Sequence, residues 1–210
     1  MAAIKAVIFD LDGVLVDAGA WHYQAFSRAL AAHGFALDRE EHDRSYDGLT
    51  TAEKLKLLSA EKGLPAELYP AINELKQRYT TELILKDCAP RREHLEMMAA
   101  LKGEGYRLAV ASNSLRRTAE QVLSRAGLLP YLEFFTAQED AARPKPDPQL
   151  YLGAFARLGL RPDECLVLED HPVGVKAAEA AGAHVARVSG PGEVCYNFVK
   201  RRIAACGEKS

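Results

Sequence analysis

The stretch Ala6-Val7-Ile8-Phe9-Asp10-Leu11-Asp12-Gly13-Val14-Leu15-Val16-Asp17 decides the fold. Its opening apolar run has the pattern of a buried parallel strand. The run stops at two carboxylates one residue apart, and Gly13 then lets the backbone turn sharply. In open α/β sheets, ligands sit at the carboxyl ends of strands, so Asp10 and Asp12 are expected where chemistry takes place. Two acids this close are costly without a cation, and a hard divalent ion such as Mg²⁺ is their natural companion. A lone D-x-D after a strand reads as a solvated strand end. D-x-D-G-x-L-x-D directly after an apolar strand is far more specific.

This stretch resembles the first motif of the haloacid dehalogenase (HAD) superfamily, whose members mostly transfer phosphoryl groups through an aspartyl-phosphate. The whole chain is similar to that superfamily's β-phosphoglucomutase-like branch, which also holds many sugar-phosphate phosphatases. The resemblance implies further motifs in a fixed order along the chain.

The length of 210 residues suits one catalytic core with a modest insertion. Hydrophobic content of 48% with 27% charged residues is ordinary for a globular protein. A net charge of −2 supplies no basic field for nucleic acid or a membrane surface. The four cysteines (Cys88, Cys165, Cys195, Cys206) form no C-x-x-C pair and no zinc spacing, so they read as scattered thiols in a reducing compartment. No apolar run approaches transmembrane length, and the first strand follows too closely on Met1 for a signal peptide. A cytoplasmic location and a monomer are the expectations.

Outward from Asp17, residues 18–86 are helical by pattern throughout. Trp21, Ala25, Phe26, Ala29 and Leu30 recur at helical spacing up to Gly34, and Asp38 to Ser45 reads as a short polar helix. Thr50 and Glu53 fit a capping box that opens a helix running to Gly63. Ile72, Leu75, Tyr79 and Leu83 mark another apolar stripe, with Pro70 in its first turn or splitting it. Inserted straight after the first strand, this segment is expected to form a helical cap domain, matching the bundle-type cap of the resemblance. Residues 1–17 and 87–210 then form the core.

Within that core, strands are predicted at Arg107–Ala111, Glu133–Thr136, Leu166–Leu168 and His184–Val188, with helices between them. Gly174 to Gly182 reads as an Ala-rich helix and Glu193 to Cys206 as a terminal one. Strand–helix alternation argues a doubly wound, parallel α/β sheet. Asp10/Asp12, Ser112, Lys145 and Glu169/Asp170 would converge along one edge of it.

Each of these groups matches a motif of the resemblance, which implies their roles. Asp10 is expected as nucleophile, with Asp12 as the acid for the leaving alkoxide and then the base for water. Dehalogenating relatives lack the second acid, so Asp12 points to phosphate substrates. Asp10, the Asp12 carbonyl and Asp170 would hold Mg²⁺, with Glu169 ligating directly or through a water. Without the ion, nucleophile and phosphate would repel by about 4 kcal/mol per charge pair at an effective dielectric of about 20. Lys145, between Pro144 and Pro146, would place its ammonium between Asp10 and the phosphoryl oxygens. Ser112 would offer a hydroxyl to a phosphoryl oxygen, helped by the backbone N–H groups of Asn113 and Ser114. In the cap, His22, Gly48 and Thr51 are the candidates for substrate binding.

The mutase of this branch places a lysine before its cap-loop glycine and an arginine three residues after it. Asp47 and Thr51 stand there in this chain, around Gly48. An acid repels a phosphate, and threonine offers no bidentate fork. Lys54, one residue past the capping box, would offset the loss only if it faced the substrate. The reading that follows is a Mg²⁺-dependent hydrolase of a small phosphorylated metabolite, a phosphomonoester such as a phosphosugar. A phosphomutase is the alternative. A phospho-acceptor signalling domain comes third, because Asp12 equips the site to hydrolyse an acyl-phosphate.

Overall fold

The computed structural model describes residues 3–208. They fall into two compact units, one built from the chain up to Asp17 and from Cys88 onward, the other from Ala18–Asp87.

The first unit is a five-stranded, wholly parallel sheet in the order β3-β2-β1-β4-β5. Its strands are β1 (Ala6–Phe9), β2 (Arg107–Ala111), β3 (Phe134–Thr136), β4 (Cys165–Glu169) and β5 (His184–Arg187). Strand β1 is the central one, and all four of its residues are buried, which is why its run is apolar without alternation. It pairs with β2 on one side and β4 on the other, aligning Phe9 with both Val110 and Leu168. Strand order reverses at β1, so the carboxyl ends of β1 and β4 flank the point where α/β sheets open a crevice.

The second unit begins with helix α1 (Gly19–Ala31) and a single turn α2 (Arg39–Glu41), continued by a π-helical turn at His42–Tyr46. Two longer helices follow, α3 (Thr51–Lys62) and α4 (Tyr69–Asp87). Thr50 and Glu53 make the reciprocal capping bonds at the start of α3, and Gly63 ends it in the left-handed conformation at φ +67°. Pro70 lies in the first turn of α4, where no helical N–H is lost. Phe26, Leu30, Tyr46, Leu55, Leu58 and Ile72 form this unit's own buried core.

The remaining helices belong to the sheet unit: α5 (Arg92–Gly103), α6 (Arg116–Arg125), α7 (Gln149–Leu158), α8 (Pro172–Ala180) and α9 (Tyr196–Glu208). Strands β3, β4 and β5 shift from expectation by one residue at one or both ends, and two helix starts differ by more. Helix α8 starts at Pro172, ahead of Gly174, because His171 caps it by accepting from the Val173 N–H. Helix α9 starts at Tyr196 because Glu193 instead closes a turn, accepting from the N–H and hydroxyl of Ser189. One face of the sheet (Ala6, Ile8, Ala109, Val167) packs with Tyr151, Phe155 and Leu158 of α7 and Ala177 and Ala178 of α8.

Candidate active site

Asp10 leaves β1 with its N–H still bonded to the Leu168 carbonyl at 2.9 Å, so its carboxylate is set by the sheet. The chain then turns tightly: Leu15 and Val16 donate to the Leu11 carbonyl, and Gly13 donates to Val16 at 2.7 Å. Gly13 sits at φ +85°, and a Cβ there would stand 2.0 Å from Asp170 Oδ2. Glycine is therefore required twice over, for the turn and for the space that Asp170 occupies. A second glycine does the same for the neighbouring acid. A Cβ on Gly174, in the first turn of α8, would lie 1.9 Å from Glu169 Oε1.

These two clearances let three acids converge. Asp10, Glu169 and Asp170 each offer a carboxylate oxygen, all within 4.8 Å of one another. Burial, then the neighbouring Glu169, pushes the Asp170 carboxyl up to about 6. Burial also pushes Asp10 well up, with Glu169 and Asp12 adding to it against the pull of Lys145. Three oxygen donors forced together at such cost fit a hard divalent cation of the Mg²⁺ type.

Lys145 is the counter-charge. Its ammonium is buried and lies 2.6 Å from both Asp10 Oδ1 and Glu169 Oε1, 2.8 Å from the Tyr151 hydroxyl and 2.9 Å from the Ala111 carbonyl. Burial alone would lower the lysine, but Asp10 and Glu169 outweigh it and hold it above its ordinary value. The loop carrying it is fixed by Asn113, whose Oδ1 accepts from the Lys145 N–H at 3.0 Å while its Nδ2 donates to the Lys145 carbonyl. Asn113, expected to help through its backbone N–H, thus holds the lysine's backbone with its side chain.

Ser112 follows β2 and is buried, its hydroxyl accepting from the Ser114 N–H at 3.0 Å. The Ser114 hydroxyl donates to Asp12 Oδ2 at 2.7 Å, which fixes the second acid beside the first. Asp10, Asp12, Ser112, Ser114, Lys145, Glu169 and Asp170 are thus brought to one edge of the sheet by consecutive strand ends. Tyr151 joins them unforeseen. Within the apolar stripe of α7 it reads as a core aromatic, and the only hint is a hydroxyl where phenylalanine would pack as well.

His22, Gly48 and Thr51 belong to the helical unit. His22 lies on α1, Gly48 turns the chain at φ +74° before α3, and Thr51 is the first residue of α3. Lys54 in the same unit donates to His42 Nε2 at 2.9 Å, and His42 Nδ1 meets Asp43 Oδ1 at 3.2 Å. Burial drives Lys54 down to about 8. Burial first, and Lys54 second, lower His42 as well.

The sequence and the fold are similar to those of known proteins. The family model described as haloacid dehalogenase-like hydrolase matches residues 7–188. A phosphorylated carbohydrates phosphatase of Thermotoga maritima is 32% identical over 182 residues, covering 85% of this chain and 82% of that one. A β-phosphoglucomutase of Bacillus subtilis is 30% identical over 190 residues, 85% of this chain and 80% of its own. Among solved structures, CbbY from Rhodobacter sphaeroides in complex with phosphate superposes with a TM-score of 0.79 at 30% identity, covering 88% of this chain and 87% of that one.

Proposed function

Because the chain belongs to the haloacid dehalogenase-like hydrolase family and is a phosphoric monoester hydrolase of that kind, we propose that it hydrolyses a small phosphosugar or related metabolite with Mg²⁺, through an aspartyl-phosphate on Asp10. The observation that carries this reading is the buried contact of Lys145 Nζ with Asp10 Oδ1 at 2.6 Å, beside the clustered oxygens of Asp10, Glu169 and Asp170. A sugar-phosphate substrate is supported by the similarity to the Thermotoga phosphatase.

Asp10, Glu169 and Asp170 would hold Mg²⁺, which when bound neutralises charge on the nucleophile and on the transferring phosphoryl group. Asp10 attacks phosphorus as the ester P–O bond breaks, and Asp12 gives its proton to the departing alkoxide. Asp12 then takes a proton from water as that water attacks phosphorus. The bond to Asp10 breaks and phosphate leaves. Ser114 holds the Asp12 carboxylate in place across both steps by its 2.7 Å bond. Lys145 keeps a fixed positive charge beside the oxygens of Asp10, and Ser112 contributes its hydroxyl to the phosphoryl group. His22, Gly48 and Thr51 are proposed to select the leaving group. The reading includes a monomer acting in the cytoplasm.

The similarity to β-phosphoglucomutase keeps a mutase as the second reading, with Asp47 and Thr51 standing against it. A panel of phosphorylated sugars and sugar alcohols, assayed with Mg²⁺ for released phosphate, tests the proposal. Repeated turnover to free phosphate that EDTA abolishes is expected. Conversion of a sugar 1-phosphate to an isomer, in the presence of a sugar bisphosphate, would instead establish the mutase.

A further inference from the structure

We propose that the Tyr151 hydroxyl is a positioning group for the cation site: it bonds Glu169 Oε1 in place of Lys145 and so holds that acid for the metal whatever the lysine serves. The inference rests on the reading of Asp10, Glu169 and Asp170 as that site.

Four acceptors crowd the three hydrogens of the Lys145 ammonium: Asp10 Oδ1, Glu169 Oε1, the Ala111 carbonyl and the Tyr151 oxygen, all between 2.6 and 2.9 Å. One of them must be served by another donor. Only the phenol is both acceptor and donor. Its oxygen lies 2.5 Å from Glu169 Oε1, so its O–H satisfies that carboxylate oxygen while its lone pair takes a hydrogen from the lysine. When a phosphoryl oxygen asks for a lysine hydrogen, Glu169 therefore keeps a partner and need not swing. Both contacts fall on Oε1, which leaves Oε2 for the cation or a water bound to it. Gly174 leaves no side chain to prop the acid from the other side.

The ring itself needs no hydroxyl to pack. It is fully buried on α7, stacks on Phe155 at 6.4 Å between centroids, and passes 4.6 Å from the lysine nitrogen. Phenylalanine would keep the stacking, so the oxygen is present for its polar partners. Groups that orient metal ligands from behind commonly cost ten-fold or more in metal affinity or activity when removed.

The test is Tyr151→Phe beside Phe155→Leu, with Mg²⁺ binding read by calorimetry on substrate-free protein and kcat and KM read separately. Tyr151→Phe is expected to weaken Mg²⁺ binding by about 10-fold and to lower kcat by a similar factor, with KM within about two-fold. Phe155→Leu, which disturbs the same packing but keeps the hydroxyl, is expected to lower the melting temperature and leave Mg²⁺ affinity unchanged. Wild-type Mg²⁺ affinity and kcat in folded Tyr151→Phe overturn the proposal, as does an equal loss of affinity in Phe155→Leu. If wild-type protein binds Mg²⁺ yet hydrolyses no phosphomonoester, the proposed reaction fails while the calorimetry still decides the role of Tyr151. Should Tyr151→Phe not fold, wild-type protein with tyrosine carbon-13 labelled at Cζ gives the answer. One of the eight tyrosine signals, that of Tyr151, is expected to shift along the Mg²⁺ binding curve, and its failure to move overturns the proposal.

Discussion

A buried lysine and a half-buried one meet opposite fates in this molecule. Lys145 in the sheet unit faces two carboxylates at 2.6 Å and is held above its ordinary pKa despite complete burial. Lys54 in the helical unit donates to the neutral imidazole of His42 and falls to about 8. Burial penalises both charges, and only direct carboxylate partners reverse the outcome. Asp47 and Asp43 pull Lys54 upward, but not enough to offset its burial. The fold therefore concentrates compensation at the acid cluster of the sheet unit, and leaves the other lysine with a lowered pKa.

Removing the compensated charge should do the greatest damage. Lys145→Met is expected to lower kcat by about 10²–10³-fold, the range for deleting one preorganised electrostatic group. It also strands two buried acids, for a stability loss of about 3–5 kcal/mol by chemical denaturation without Mg²⁺. A protein as stable and active as wild type would break the contrast.

Removing an acid should act with the opposite sign on stability. The Asp170 carboxyl is raised from 3.8 to about 6, so the folded, metal-free protein binds its proton more tightly than the unfolded chain. That contribution is present below about pH 4 and lost as pH rises through about 6. At pH 7.5 an ionised, crowded Asp170 is a liability, and Asp170→Asn should stabilise the metal-free protein by about 2–3 kcal/mol while abolishing stabilisation by Mg²⁺. Thermal unfolding with and without Mg²⁺ checks both halves.

The uncompensated lysine gives the smallest effect. Its lowered pKa means the unfolded chain holds more protons between pH 8 and about 10.5, so stability should rise with pH across that window. Lys54→Met keeps the aliphatic stem and should stabilise the protein at pH 7 by about 1–2 kcal/mol, after the lost bond to His42 is deducted. The gain should shrink towards pH 10.5. A loss of stability at pH 7 would mean that Lys54 is better partnered than its surroundings indicate.

What the sequence made legible follows the range of the forces involved. The strands, the capping box of Thr50 with Glu53 and the stop at Gly63 are local, and local chemistry determines them. Asp10, Asp12, Lys145 and Asp170 were legible because strand ends in a parallel sheet share an edge, so topology converts sequence order into proximity. Tyr151 was hidden because an apolar stripe on α7 conceals one hydroxyl, and its partners lie 6 and 18 positions away. Gly174 reads in the sequence as a helix start, whereas its bare Cα makes room for Glu169, a contact no period in the sequence encodes. The pairing of Lys54 with His42 likewise depends on a π-helical turn that the polar run from Asp38 does not announce.

Asp10 is proposed to carry the phosphoryl group. Quenching the enzyme during turnover with borohydride reduces an acyl-phosphate to an alcohol, and peptide mass spectrometry locates it. Homoserine is expected in place of Asp10, formed only when substrate and Mg²⁺ are both present. Reduction at another carboxylate, or none while phosphate is being released, would contradict it.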